Sequence, residues 1–242
     1  MDRIVRSVVL TVTLLTGESA WSQQTRPNIV YIMADDLGNA GLEYRGGNIK
    51  TPNIDKLATE GVRLESFYGQ PVCTPARAAL MTGRYPMRYG LQTDVNFPSH
   101  TYGLPTDERT LPQALKDVGY KTLMVGKRHL GHADKKFWPQ NRGFDYFYGN
   151  VIGEVDYFTR ERGGIIDWQR NGTFLKEGGY YTKLIGDDAV KLIDEQTGAA
   201  VLPLLCVAGA SCSLPGAERL HQTVCFCEGR NLAHVRRNDH MP

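Results

Sequence analysis

The apolar pattern of the chain predicts strands and helices in alternation. Residues 28–34 read Asn-Ile-Val-Tyr-Ile-Met-Ala, a nearly continuous apolar run of the kind that forms a strand covered on both faces. Thr51 and Pro52 then open a short helix that Gly61 ends, because proline suits the first turn of a helix and glycine the position after its last. Residues 62–68 are predicted to return as a second strand.

The same order repeats further along the chain. Thr110 is placed to cap a helix over residues 111–118, Gly119 ends that helix, and residues 120–125 supply the next strand. Residues 182–196 have the spacing of one more amphipathic helix, whose apolar side carries Leu184, Ile185, Ala189, Leu192 and Ile193. Strands and helices joined by short connections indicate an α/β fold with a right-handed, mostly parallel sheet.

Composition narrows the class of protein. The 242 residues are 41% hydrophobic and 22% charged, which excludes a membrane bundle, a collagen and a wholly disordered chain. The 28 Lys and Arg residues nearly balance the 26 Asp and Glu residues, so the formal net charge is +2. Because no strong field favours nucleic acid, no nucleic-acid partner is expected.

The N-terminus has the order of a secretory signal. Arg3 and Arg6 precede an apolar run over residues 8–15, and the small-residue pattern of residues 20–22 follows. The run is too short to span a bilayer, and an ordinary N-terminal helix is the alternative. We predict that residues 1–22 are a signal peptide. The mature chain, which has no membrane span, would be exported to the periplasm, the medium or a lysosome, depending on the organism.

Two adjacent carboxylates follow the first predicted strand. Asp35 and Asp36 stand at its carboxyl end, the edge at which open α/β sheets bind their ligands. In a loop both carboxylates can turn towards one hard cation. A solvated turn or a helix cap is the alternative, so the pair alone leaves metal binding open.

Cys73 stands alone among the cysteines, at the start of a predicted helix. Pro75 fits the first turn of a helix that begins just after Cys73 and runs towards Gly83. The cysteine would then lie at the positive end of the helix, where Arg77, one turn further on, can reach back to it. An anion would be stabilised there. The alternative is a buried structural thiol.

Here the sequence resembles a known family. Cys73-Thr74-Pro75-Ala76-Arg77, followed by Ala-Ala-Leu-Met-Thr-Gly-Arg, resembles the signature of type I sulfatases, in which a modifying enzyme oxidises the cysteine to Cα-formylglycine. Residues 119–131 resemble the second signature of the family, and residues 26–36 its opening metal-binding strand. The likeness is to arylsulfatase B-like enzymes. It implies an alkaline-phosphatase-like α/β sandwich with a mostly parallel central sheet, incomplete at the C-terminus.

The resemblance also implies the cofactors. Cys73 would become formylglycine, so the formylglycine-generating enzyme is an implied partner. Asp35 and Asp36 would ligate a calcium ion beside the group derived from Cys73. Asn171-Gly172-Thr173 is, separately, an N-glycosylation acceptor wherever the host glycosylates exported proteins.

The implied reaction is hydrolysis of a sulfate monoester, carried by a small molecule or a sulfated sugar. One hydroxyl of the hydrated aldehyde attacks sulfur and displaces the alcohol, and the other expels sulfate as the carbonyl re-forms. Arg77 would hold the hydrate in its reactive form, Lys127 would bridge sulfate and aldehyde, and His129 would hydrogen-bond one hydroxyl. By themselves, Lys127 and His129 could instead be a solvated lysine and a loop histidine.

The chain departs from the family pattern in two ways. Arg128 stands where the family usually has a large aromatic residue, so the packing that orients His129 is expected to change. The family's further Asp-Asn metal pair, second histidine and second lysine lie beyond the resemblance, so we expect little or no sulfatase activity from this chain. The alternatives are a truncated, non-catalytic remnant, and a phosphomonoesterase or phosphonate hydrolase of the same superfamily.

The composition changes abruptly at Gly198. All ten lysines and all twelve tyrosines lie in residues 1–197, whereas residues 198–242 hold four of the five cysteines. We expect residues 23–197 to be the N-terminal part of a sulfatase catalytic domain and residues 198–242 to be an unrelated tail, frame-shifted or aberrant. Translating the other two frames past the Gly198 codon tests this. A zinc site in the tail is disfavoured because no Cys-x-x-Cys pair occurs among its candidates Cys206, Cys212, His221, Cys225, Cys227, His234 and His240.

Overall fold

The computed structural model describes residues 27–195, 201–208 and 227–228. The predicted signal peptide, residues 1–22, lies outside the described residues, as do the cysteine and histidine side chains of the predicted tail. Of the helices in the described part, none combines the length and the apolarity that a bilayer crossing requires.

The described elements include two of the predicted strands and the predicted helices, but helices and strands do not strictly alternate. Those before residue 151 are β1 (Ile29–Ala34), α1 (Pro52–Glu60), α2 (Cys73–Thr82), α3 (Leu111–Asp117), β2 (Lys121–Lys127) and β3 (Tyr146–Asn150). Those after it are β4 (Glu161–Arg162), β5 (Ile165–Ile166), β6 (Gln169–Arg170), β7 (Thr173–Phe174), α4 (Tyr181–Asp194), β8 (Val201–Ala208) and β9 (Cys227–Glu228). Short 3₁₀ turns lie at Asn39–Gly41, Glu43–Arg45, Pro86–Arg88, Lys135–Phe137 and Pro139–Arg142.

One mixed sheet organises these elements, in the order β7-β6-β3-β2-β8-β1-β9. The four central strands β3, β2, β8 and β1 are mutually parallel, while β6, β7 and β9 pair antiparallel at the two edges. The predicted mostly parallel sheet is therefore confirmed. β4 and β5 form a separate two-stranded hairpin.

β8 lies inside the sheet, between β1 and β2. It pairs with β1 from Ile29 opposite Pro203 to Ala34 opposite Ala208. Its pairing with β2 shifts register between Lys121 and Leu123, beside Pro203, whose nitrogen carries no hydrogen to donate to the ladder. β8 belongs to the stretch 198–242, whose origin stays a prediction.

The core has two layers because alternate residues of β2 point to opposite faces. Leu123 and Val125 join the layer formed with α4, whereas Met124 joins the layer formed with α2. The first layer also buries Tyr148, Trp168, Tyr181, Ile185, Ala189 and Leu192, and the second Ala78, Met81, Leu104, Leu130, Phe144 and Phe147. Helices thus cover both faces of the sheet, and the predicted apolar side of α4 is confirmed.

The predicted strand over residues 62–68 is wrong. The structure gives this segment no strand and exposes its large apolar side chains, with Val62 91% and Tyr68 85% accessible. A strand needs a neighbour to pair its backbone groups. Among the described residues, both sides of β1 are occupied, by β8 and by β9.

Candidate active site

Three of the predicted site residues meet at one edge of the sheet. Asp35 follows β1, Lys127 ends β2, and Cys73 begins α2. The Lys127 ammonium donates to Asp35 Oδ2 and, over 3.2 Å, to Cys73 Sγ. The Cys73 thiol in turn donates to Asp35 Oδ1 over 3.4 Å. The carboxyl ends of parallel strands share one edge, which explains why residues so distant in sequence converge.

Arg77 reaches back to the same point from the second turn of α2. Its Nη2 lies 3.5 Å from Asp35 Oδ2, and its Nη1 donates to the Lys127 carbonyl over 2.6 Å. Burial alone would raise the pKa of Asp35, but the positive charges of Arg77 and Lys127 outweigh it and hold the pKa below its usual range. Two buried cations thus face the buried carboxylate of Asp35 beside Cys73.

Asp36 completes a possible cation site. Its φ is 55°, in the left-handed region that aspartate tolerates better than most residues, and this breaks the up-and-down alternation of a strand. One ligand atom each of Asp35, Asp36 and Cys73 lies within 4.8 Å of the others. Two carboxylates, one buried and one exposed to solvent, are the oxygen donors that a hard cation prefers.

Cys73 is half-buried and makes no disulfide. Burial raises the pKa of its thiol, and Lys127 only partly offsets that effect. Since the thiolate is the reactive form of cysteine, the unmodified residue is a poor nucleophile here. The site therefore surrounds Cys73 with charged groups without activating its sulfur.

His129 lies just beyond β2 with its ring buried. Burial, reinforced by the charge of Lys127, lowers the pKa of the imidazole to about 3, so the ring is neutral. Its Nε2 lies 2.9 Å from the Asn96 carbonyl and must carry the hydrogen, because a carbonyl only accepts. Nδ1 is then a bare acceptor, and it has no hydrogen-bond partner among the described residues.

Thr74 and Asn96 connect Cys73 to His129. The Thr74 hydroxyl donates to the His129 carbonyl over 3.0 Å and accepts from the Asn96 backbone nitrogen over 2.9 Å. The residue after Cys73 therefore fixes both the backbone of His129 and the carbonyl that holds its ring. The sequence motif contains Thr74, but no signal in the sequence pointed to Asn96.

The loop after β3 supports His129 from another side. Asp167 is buried and accepts from the backbone nitrogens of Val151, over 3.1 Å, and Ile152, over 2.6 Å. The Tyr181 hydroxyl donates to Asn150 Oδ1 over 2.8 Å. These contacts hold the loop where its next residue, a glycine, faces the imidazole. Sequence reasoning missed all of them, since buried polar residues in loops have no periodic pattern.

That glycine leads to a prediction for Gly153→Ala. A Cβ at this position would lie 2.4 Å from Cε1 of His129, far inside van der Waals contact, while the held loop cannot withdraw. We expect the ring to be displaced and its hydrogen bond to Asn96 lost, with a stability loss of about 1–3 kcal/mol from overpacking.

The measurement is the ¹⁵N chemical shifts of the imidazole, which report its tautomer, together with urea denaturation. Gly178→Ala is the matched control, because a Cβ there meets nothing within 4 Å. Unchanged His129 shifts in Gly153→Ala would show that the loop yields instead of the ring.

Arg128 stands where the resemblance leads one to expect a large aromatic residue. Its backbone nitrogen donates to the Asn150 carbonyl over 2.9 Å, so the chain path is regular. Its guanidinium is buried, with Nε and Nη2 unpartnered among the described residues and the Phe144 ring centroid 6.0 Å away. Burial, then the charges of Arg142 and Arg77, lower its pKa to about 9. A buried cation thus occupies the place next to His129.

Asn171 lies exposed at the turn between β6 and β7. Its Oδ1 accepts from the Phe147 backbone nitrogen over 2.8 Å, and its Nδ2 is the atom that a glycan would modify. Glycosylation of Asn171 stays a prediction.

Comparison with known proteins identifies the family. The family model described as Sulfatase matches residues 27–206, well over half of the chain. Arylsulfatase J of Mus musculus is 48% identical over 142 residues, which are 59% of this chain and 24% of that protein. Steryl-sulfatase of Homo sapiens is 49% identical over 138 residues, 52% of this chain and 24% of that protein.

Solved structures agree with the sequence relatives. The crystal structure of Ps i-CgsB superposes with a TM-score of 0.69 at 33% identity, covering 78% of this chain and 46% of that chain. The same protein has been solved in complex with k-i-k-neocarrahexaose. The chain spans 24% of the length of the two curated relatives named above. Its fold is the alkaline-phosphatase-like α/β fold predicted from the resemblance, and the chain belongs to the sulfatase family.

Proposed function

We propose that this site is the N-terminal part of an active site that hydrolyses sulfate monoesters, using formylglycine made from Cys73 and a calcium ion. Because the family's further Asp-Asn pair, second histidine and second lysine lie beyond the resemblance, little or no turnover is expected from this chain alone. The observation that carries the proposal is the convergence of Lys127, Arg77 and Asp35 on Cys73 at the start of α2. A sulfate ester is an anion, and this arrangement offers it two buried cations and the positive end of a helix.

The donor set fits the calcium ion. Asp35 and Asp36 would hold it, and when bound it would supply positive charge that polarises a sulfate oxygen. The close approach of the two carboxylates and Cys73 supports this assignment. Arg77 and Lys127 hold the pKa of Asp35 below its usual range, so the carboxylate is ionised, which is the form that ligates a cation.

The position of Cys73 also fits conversion to formylglycine, whose hydrate would supply a hydroxyl nucleophile and a second hydroxyl for release of sulfate. Lys127 touches the Cys73 side chain directly, so its ammonium is placed to donate to an oxygen at that position and to sulfate beside it. Arg77, held by the Lys127 carbonyl, keeps the ammonium and the Asp35 carboxylate in fixed relation.

His129 can serve only as an acceptor in this site. Its Nε2 hydrogen is engaged by Asn96, and its low pKa keeps Nδ1 free of a proton at neutral pH. A hydroxyl that lies against Nδ1 would therefore donate to the ring, which orients the oxygen lone pairs towards a reacting centre.

The substrate would be a sulfate-ester small molecule or a sulfated sugar, met outside the cytoplasm after export. Relatives named arylsulfatase and steryl-sulfatase support sulfate esters as the class. The formylglycine-generating enzyme would be the partner that prepares Cys73.

The test is the replacement Lys127→Met. We expect phenyl sulfate to bind about 10- to 100-fold more weakly, since a charge-assisted hydrogen bond contributes about 1.5–3 kcal/mol, and any hydrolysis of 4-nitrophenyl sulfate to be lost. Calorimetric titration measures the first and absorbance the second. Thermal denaturation checks that the variant is folded.

Lys183→Met is the matched control, because Lys183 is exposed on α4 and pairs with Asp187, one turn away on the same helix. Equal binding of phenyl sulfate by Lys127→Met and the parent chain would contradict the proposal. Faster hydrolysis of 4-nitrophenyl phosphate than of the sulfate ester would point instead to a phosphomonoesterase.

A further inference from the structure

The segment of residues 96–102 borders the site and has neither helix nor strand. Asn96 at its start contacts both Thr74 and the His129 ring. Phe97 follows Asn96 directly, so the Cα atoms of the two residues are about 3.8 Å apart. The segment therefore starts beside the contacts that Asn96 makes with Thr74 and His129.

The segment displays three rings in mutual contact. The Phe97 ring meets the His100 ring edge to face, with centroids 5.3 Å apart and planes at 81°. His100 in turn stacks on Tyr102, with centroids 4.7 Å apart and planes at 25°. Phe97 and Tyr102 remain 40% and 47% exposed, although aromatic side chains contribute most when they are covered.

Hydrogen bonds hold these rings in place. His132 Nε2 donates to the Pro98 carbonyl over 3.0 Å, and Asn96 Nδ2 donates to the Tyr102 carbonyl over 3.1 Å. The Phe97 backbone nitrogen donates to His100 Nδ1 over 3.3 Å. A surface that is ordered before binding loses little entropy when a ligand covers it.

We propose that Phe97, His100 and Tyr102 form an aromatic platform for a flat apolar ring in the alcohol part of the substrate. This proposal rests on the proposed function, because it places the sulfate group at Cys73 and the ring on the platform. The rings offer edge and face contacts of the kind that aromatic groups prefer. The substrate class that fits is therefore an aryl sulfate.

Ligand binding by the full chain tests the platform without requiring turnover. The probes are phenyl sulfate, ethyl sulfate, glucose 6-sulfate and phenol, titrated by calorimetry or ligand-observed NMR into the parent, Phe97→Leu and Tyr102→Leu. We expect each replacement to weaken phenyl sulfate about two- to tenfold, the range that an aromatic pair contributes. Ethyl sulfate, which has no ring, should bind as before.

Tyr85→Leu is the matched control. Tyr85 is 67% exposed and follows the far end of α2, a ten-residue helix of about 15 Å that begins at Cys73. Its loss should leave all four ligands unaffected. Thermal denaturation of each variant verifies that the chain remains folded.

The outcomes separate the platform from the proposed function. Unchanged phenyl sulfate binding in both platform variants, or an equal loss of ethyl sulfate, would overturn the platform. An equal loss of glucose 6-sulfate would overturn the assignment to aryl sulfates. Phenol that binds on the platform as tightly as phenyl sulfate would leave the platform standing and contradict the sulfate site.

Discussion

Mass spectrometry of the tryptic peptide from Leu64 to Arg77 is expected to show Cys73 as formylglycine after co-expression with the modifying enzyme. The residue would lose the elements of hydrogen sulfide and gain one oxygen atom. The five-residue motif that begins at Cys73 supports the conversion, and so does the setting of its side chain between Lys127 and Asp35. A neutral thiol has no evident use in the proposed sulfate-ester site, whereas a hydrated aldehyde would supply its nucleophile.

Labelling with a hydrazide provides the second measurement, since it reacts with aldehydes and not with thiols. Cys73→Ala is the control, because it removes the reacting residue while keeping the four cysteines that follow Gly198. The result that would sink this prediction is a peptide that carries only unmodified thiol, under conditions that convert an established sulfatase in the same cells.

Replacing Arg128 with methionine is expected to stabilise the protein by about 1–4 kcal/mol at pH 7. The guanidinium is buried without hydrogen bonds for Nε and Nη2 among the described residues, so folding removes its hydration with little in return. Methionine keeps an unbranched chain against Phe144 and adapts readily to irregular space. Urea denaturation at pH 7 measures the gain.

The stability gain of Arg128→Met should decrease at high pH. Burial lowers the pKa of Arg128 in the folded state to about 9, well below its ordinary value, so above pH 9 the unfolded state binds more protons than the folded state. The stability of the parent chain due to Arg128 therefore rises as the pH increases above 9. The advantage of Arg128→Met should be complete below pH 9 and shrink above it.

Arg88→Met is the control for Arg128→Met, because Arg88 is exposed in a short turn and should change stability by less than about 0.5 kcal/mol. If Arg128→Met is less stable than the parent, the guanidinium has a stabilising role that its contacts with the described residues do not account for.

The sequence predicted those parts of the fold that depend on local pattern. Three such patterns each lie within about a dozen residues. They are the apolar run that becomes β1, the proline and glycine at the ends of α1, and the amphipathic spacing of α4. Residues 62–68 have the composition of a strand, but pairing depends on which neighbours are available. That information lies far away in the chain, so the prediction failed there.

The candidate site likewise has contacts that the sequence predicts and contacts that it does not. Asp35 and Lys127 could be placed together because each follows a strand, and parallel strands end at a common edge. The links from Thr74 to Asn96 and His129 could not be placed, because each partner is a common loop residue and the contacts join positions 22 and 55 residues apart. Such links depend on tertiary geometry alone.

The position of β8 between β1 and β2 has a consequence for the order of folding. Asp35 follows β1 and Lys127 ends β2. These two strands do not pair with each other; both pair with β8. Adjacent strands lie about 4.8 Å apart, so the Lys127 side chain must cross the end of β8 to reach Asp35. On a ribosome, the two halves of the site emerge long before the strand that joins them. Assembly of the anion-binding centre is thus a late, non-local step of folding, and no shorter nascent chain can form it in this arrangement.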